Sequence, residues 1–144
     1  MIGTIILLYL AFLTVIYMHE LGHFGTPRWK KLFGIIPYSA YSYEGKYRAG
    51  GLIANFIMFF FVAKYSPSLV LLQYVGLVAW VHFIFYMIIG SIVPELREED
   101  VNVRTYVFDD VPNGTWWLNI AFAIWTYFMF NDYYVPILRG VLQW

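Results

Sequence analysis

The chain opens with an unbroken apolar run. Residues 1–18 carry no charge and are mostly Ile, Leu, Tyr, Phe and Val. A run of that length predicts a membrane-spanning helix over residues 2–23. Gly25 and Pro27 are expected to end it, because glycine suits a helix C-terminus and proline cannot continue one. The run has no basic leader and no small-residue cleavage pattern, so it is expected to be retained as an anchor. Residues 26–49 turn polar, basic and aromatic. Their second half, Pro37-Tyr-Ser-Ala-Tyr-Ser-Tyr-Glu-Gly-Lys-Tyr-Arg48, is rich in tyrosine and contains Glu44-Gly45. It predicts a short β-hairpin at the membrane surface, turning at Glu44-Gly45. An interfacial tyrosine belt fits the same residues, as does a strand edge able to pair with an extended peptide.

A second apolar run, 50–64, lies between Arg48 and Lys64. It is short for a bilayer, and the flanking cations would have to snorkel. Gly50, Gly51 and Ala54 are small enough to let helices approach closely. Residues 65–94 are again uncharged. Ser66-Pro67 predicts a turn, and a third span follows over 69–93, closed by Pro94. Residues 95–114 form an acidic loop. A fourth span is expected over 115–130, with Asn131 to Pro136 marking the opposite interface and a short interfacial turn beyond; this added segment reaches residue 139. The pattern as a whole predicts an all-α integral membrane protein. It is a single domain, 1–144, of about four transmembrane helices with a hairpin-like loop after the first.

Composition narrows the function. Of 144 residues, 61% are hydrophobic and 12% charged, which excludes an ordinary soluble domain. The formal net charge is zero, so no nucleic-acid partner is expected. There is no cysteine, so neither a disulfide framework nor a thiolate metal site is available. Arg28, Lys30, Lys31, Lys46, Arg48, Arg97 and Arg104, seven of the nine Lys and Arg residues, lie in the first and third loops. The positive-inside rule then places those loops in the cytoplasm and both termini outside.

Candidate chemistry starts at His19-Glu-Leu-Gly-His23. Residues four apart share a helix face, so two imidazoles can address one metal ion. Glu20 lies beside that face, within reach of a metal-bound water. Zinc lowers the pKa of such a water to about 7, and a carboxylate can then take its proton. Ionisable groups at the end of a membrane helix are costly and usually functional. Asn55 is the one strong amide in the second run. It is either an interhelical hydrogen-bonding group or a donor to the carbonyl of a scissile peptide. His82 falls mid-span, about 16 Å deeper than the Val93 end at 1.5 Å per residue. It is therefore expected to be a packed, hydrogen-bonded core residue and not a ligand.

His19-Glu-Leu-Gly-His23, then Gly50-Gly-Leu-Ile-Ala-Asn55-Phe, then a span ending Ser91-Ile-Val-Pro94, resemble the site-2 protease family of intramembrane zinc metalloproteases. The resemblance covers about residues 5–100 and keeps the family's order and intervals. It implies a three-helix core around one zinc ion, opened to cytosolic water. The implied activity is cleavage of a membrane-protein substrate in or near its transmembrane segment. The chain departs from the pattern in places. Leu52 stands where the family usually has Pro, and Ser91 where it usually has Asn. The Asp-Gly that supplies the third ligand is missing. Asp100 is the expected replacement, with Glu99 as substitute and Asp110 third. The resemblance then implies His19, His23 and Asp100 as zinc ligands, Glu20 as general base, and Asn55 with the metal at the oxyanion. A degenerate relative that binds metal or transmembrane partners without cleavage is the alternative. A metal transporter would want polar residues through the full bilayer depth, and here they cluster at one face.

Overall fold

The computed structural model describes residues 2–43, 50–92 and 116–143. Four helices and one hairpin make up that part of the chain. They are α1 (Ile2–Gly22), β1 (Thr26–Leu32), β2 (Ile36–Tyr43), α2 (Gly50–Tyr65), α3 (Val70–Ile92) and α4 (Trp116–Leu142). The protein is thus mostly helical with one two-stranded antiparallel sheet. Helix α1 and residues 70–89 of α3 are long and apolar enough to cross a membrane. Helix α2 is apolar but has only 16 residues, about 24 Å at 1.5 Å per residue.

Buried positions fall at helical spacing. On α1 they are Ala11, Val15, Ile16 and His19, and His23 continues the same stripe one turn on. On α2 they are Gly50, Gly51, Leu52, Asn55 and Phe59. Helix α3 is the hub, burying Val75, Leu77, Ala79, Trp80, Phe83 and Met87 against α1, α2 and α4. The outward faces carry large apolar side chains, among them Ile2, Ile5, Ile57, Phe61, Phe85 and Phe128.

Glycine sets the tightest crossing. A Cβ on Gly50 would overlap the Gly22 carbonyl and stand 3.1 Å from the amide of His23; a Cβ on Gly22 would reach the Gly50 carbonyl and come within 2.9 Å of Ala54. The backbones of α1 and α2 therefore touch directly, as small residues at a helix crossing permit. Gly76 in α3 makes room for side chains instead, since an added Cβ would strike Val62 and the Tyr134 hydroxyl.

The end of α1 differs from expectation. Its last turn tightens, with His23 N–H donating to the Glu20 carbonyl and Phe24 N–H to that of Leu21. Phe24, and not Gly25, takes the left-handed conformation, at φ 55°. The Ser66-Pro67 turn is present. Ser66 adopts φ 42°, and its hydroxyl donates to the Ala63 carbonyl at the end of α2.

The hairpin forms earlier than Glu44-Gly45, which lies outside the described residues. Its turn is Phe33-Gly34, at φ 51° and 73°, the two successive positive angles that a tight type I′ reversal requires. The register runs from Leu32 opposite Ile36 to Thr26 opposite Tyr43, with an irregularity between Lys30 and Lys31. Nor does the hairpin sit at the end of α1. It returns along that helix: Tyr17 stacks on Trp29 at 5.6 Å, and Tyr9 donates to the Pro37 carbonyl at 2.6 Å. Tyr9 is about 20 Å from Gly22 along the axis at 1.5 Å per residue.

Helix α4 also departs from expectation. It does not stop near Phe130 but continues to Leu142, through Asn131, Asp132 and Pro136. Pro136 has no N–H for the Asp132 carbonyl, so local bonding alone disfavours the continuation. Packing supplies the reason. Tyr134 is fully buried, stacks on Trp80 at 5.3 Å, and donates its hydroxyl proton to the Phe59 carbonyl of α2. Tyr134→Phe is expected to cost about 1 kcal/mol, the net worth of one buried hydrogen bond. Tyr134→Ala is expected to cost about 3 kcal/mol or more through the cavity it leaves. Reversible unfolding in detergent should rank the two in that order.

Candidate functional site

Four polar side chains from three helices meet inside the apolar bundle. His19 and His23 come from the inward stripe of α1, Asn55 from that of α2, and His82 from α3. His19 is 3% exposed, His23 6% and Asn55 0%. The rings of His19 and His23 are 5.1 Å apart, centroid to centroid, at 77°. The spacing expected of one helix face is therefore kept, although His23 lies in the tightened turn just past α1.

Gly51 is part of the arrangement. A methyl group there would overlap the His19 ring, 2.5 Å from Cε1 and 2.7 Å from Cδ2, and closer still to Nε2. The bare backbone of α2 thus packs directly on the ε edge of that imidazole. The Gly22–Gly50 contact one turn away holds the two helices at this separation.

Asn55 lies on the opposite edge of the ring. Its carboxamide nitrogen is 3.2 Å from His19 Nδ1 and 2.7 Å from His82 Nδ1. Its oxygen, Oδ1, is buried with no hydrogen-bond partner among the described residues. The amide thus joins two imidazoles, and both readings of Asn55 from the sequence retain an atom to act through. His82 also packs edge-on to His19, with centroids 5.1 Å apart, and Tyr86 closes the cluster 4.5 Å from His82 and 5.8 Å from His19.

The depth assigned to His82 from the Val93 end does not hold. Helices α1 and α3 do not end at one level, so counting back from Val93 misplaces it. The near turn gives the right answer: Asn55 and His82 are 27 positions apart and almost symmetric about the turn at 66–69. In an antiparallel helical hairpin such residues face each other. His82 is hydrogen-bonded, as expected, but beside His19 and not remote from it. Tyr86, one turn on from His82, and Gly51 were also readable by this count.

Glu20 is half-buried on α1, next to the His pair in sequence. Asp100, Glu99 and Asp110 lie outside the described residues. Among the described residues no three His, Asp or Glu side chains stand together as a metal-holding group. Comparison with protein-family models, with curated proteins and with solved structures finds no match to this chain.

Gly51→Ala tests the packing. A methyl group pressed into the His19 ring is expected to lower stability by about 1–3 kcal/mol, the usual cost of overfilling a tight interior. Imidazole NMR signals should shift for His19 most, and circular dichroism should keep its helical form.

Proposed function

We propose that this protein is a four-pass integral membrane zinc metalloprotease of the site-2 protease kind. It would hydrolyse a peptide bond in or near the transmembrane segment of a membrane-protein substrate, at a site facing the cytoplasm. The observation that carries the reading is the buried His19–His23 pair on the inward stripe of an apolar helix. Apolar side chains on the outward faces of the bundle support a lipid setting, since soluble monomers rarely expose large contiguous apolar patches.

The residues present suit a divalent ion. Two imidazoles lie side by side, a glycine and not a bulkier residue faces the ε edge of His19, and the chain offers nitrogen and oxygen donors without thiolates. His19 and His23 would hold the ion, and Asp100 would complete the set, with Glu99 or Asp110 in its place if the loop closes differently. Bound zinc would supply Lewis acidity and lower the pKa of water. Glu20 would take the proton of the attacking water and pass it to the leaving amine. Asn55 would donate to the substrate carbonyl oxygen as charge develops there. A substrate helix has to unwind first, because its peptide bonds are shielded by their own hydrogen bonds. Each strand of the two-stranded hairpin has an outer edge on which an unwound segment would pair.

A second reading draws on one sequence fact, the missing Asp-Gly. On it, the fold binds metal or transmembrane helices without cutting. Glu20 argues against this, because a purely structural site has no need of a base beside its ligands.

The test uses purified protein in detergent with a transmembrane reporter substrate. Glu20→Gln is expected to keep zinc and lose cleavage by at least about 100-fold, the usual worth of a general base. Asp100→Ala is expected to lower zinc content and activity together. Cleavage surviving in Glu20→Gln would reject the catalytic assignment. Stoichiometric zinc with no cleavage of any reporter would favour the binding protein.

A further inference from the structure

We propose that His82 is a positioning residue of this site. With His19 it clamps the carboxamide of Asn55, and the clamp sets both the tautomer of His19 and the group that Asn55 turns outward. For its catalytic consequence the inference rests on the hydrolytic reading; for its geometry it does not.

One amide atom lies between two imidazoles. The same end of Asn55 meets Nδ1 of His19 at 3.2 Å and Nδ1 of His82 at 2.7 Å. A carboxamide has nearly the same shape either way round, so protons decide which atom sits there. If the NH₂ group lies between the rings, it donates to two bare Nδ1 atoms, and each neutral imidazole then carries its proton on Nε2. If the oxygen lies there, its two lone pairs accept from two Nδ1–H groups, and Nε2 of each neutral ring keeps its lone pair.

The two arrangements have opposite consequences. Only the second gives His19 Nε2, the edge that faces Gly51, the lone pair that a metal ligand needs. It matches the general habit of ligating histidines, which donate their other ring N–H to an oxygen. It also changes what Asn55 offers. The outward atom, now Oδ1, is fully buried with no hydrogen-bond partner among the described residues. Turning the amide over puts two N–H donors at that position, which is what a developing oxyanion requires.

His19 alone cannot hold the amide this way, because one ring can exchange its tautomer as the amide turns. A second imidazole on the same oxygen couples the two rings, since the amide can reverse without losing a hydrogen bond only if both move their protons together. His82 is fitted to the task. It makes the shorter of the two contacts, packs on the His19 ring, and is itself lined by Tyr86.

Two amide substitutions separate this role from direct ligation. Asparagine carries its amide where Nδ1 of histidine lies, and glutamine carries it where Nε2 lies. The experiment compares wild type with His82→Asn, His82→Gln and His82→Phe in detergent, first without metal. Nitrogen NMR reports the tautomer of His19, and the chain's three histidines are few enough to assign by single substitution. Zinc affinity is then measured by competition with a chelator. Wild type and His82→Asn are expected to hold His19 as the Nδ1–H tautomer. His82→Phe and His82→Gln are expected to lose that preference and to bind zinc roughly 10- to 100-fold more weakly. An Nε2–H tautomer in wild type, or an unchanged tautomer in His82→Phe, would overturn the clamp. Zinc binding rescued by Gln and not by Asn would make His82 a ligand through Nε2 and also overturn it. If wild type binds no zinc while the tautomers follow the expected order, the hydrolytic reading fails and the clamp stands.

Discussion

The contact on which this structure depends is the meeting of two glycine backbones, Gly22 at the end of α1 and Gly50 at the start of α2. If the bundle sits in lipid, as proposed, its helices gain little from burying apolar side chains against each other, because the tails are equally apolar. Association then rests on close packing and on the few polar contacts that the packing permits. With no side chains at the crossing, the helices close far enough for the His19 ring to reach Asn55 on one edge and bare Gly51 backbone on the other. A single Cβ at either crossing position would separate the helices and break the polar cluster with them. Packing and candidate chemistry are therefore one constraint in this chain.

The same constraint explains which parts of the architecture could be read from the residues. Apolar runs located all four helices, because a long apolar stretch has to satisfy its own backbone and a helix does so within one segment. The glycines before Asn55 marked a close approach, and the His19/His23 spacing marked a shared face. What escaped were features decided by tertiary contacts against local preference. The hairpin turns on Phe33-Gly34, although phenylalanine is a poor choice for a positive φ. Helix α4 passes through Asp132 and Pro136 because Tyr134 is anchored between α2 and α3. The proximity of His82 was in reach of simple counting, but only from the Ser66 turn, which fixes the α2–α3 register, and not from the far end of α3. The acidic candidates from Glu99 to Asp110 had no such register, since nothing in a loop's pattern says which side chain folds back.

The position of the hairpin bears on how charge is arranged. A surface hairpin would keep Arg28, Lys30 and Lys31 near the end of α1. The observed one lies along α1 as far as Tyr9, with Lys30 5.6 Å from the centre of the Tyr41 ring. Its tip is apolar: Phe33 is 86% exposed and Ile35 78%. Long lysine side chains can lay their stems along apolar surface and carry the charge elsewhere, and an aromatic face partly replaces lost hydration. On the proposed membrane reading, an apolar tip with cations set back from it suits a strand pair lying beside a spanning helix.

Buried polar groups in the bundle fall into two kinds. Tyr134 meets a backbone carbonyl, and Trp80 directs its indole N–H to the Thr126 carbonyl at 3.5 Å. Both ends of these contacts are fixed, and a pinned interhelical junction explains them. The Thr126 hydroxyl has no hydrogen-bond partner among the described residues, but a helical threonine needs only a rotation to reach the carbonyl one turn back. Asn55 has no such release. Its amide is held at one end by two rings, and the other end is buried with nothing to bond, a cost of about 1–3 kcal/mol if nothing ever occupies that place. Packing gives no return for that cost, since leucine would fill the position without it. A group that visits the outer end of the amide would remove the penalty. On the proposed hydrolytic reading that group is the substrate carbonyl, met by the amide with its N–H end turned outward.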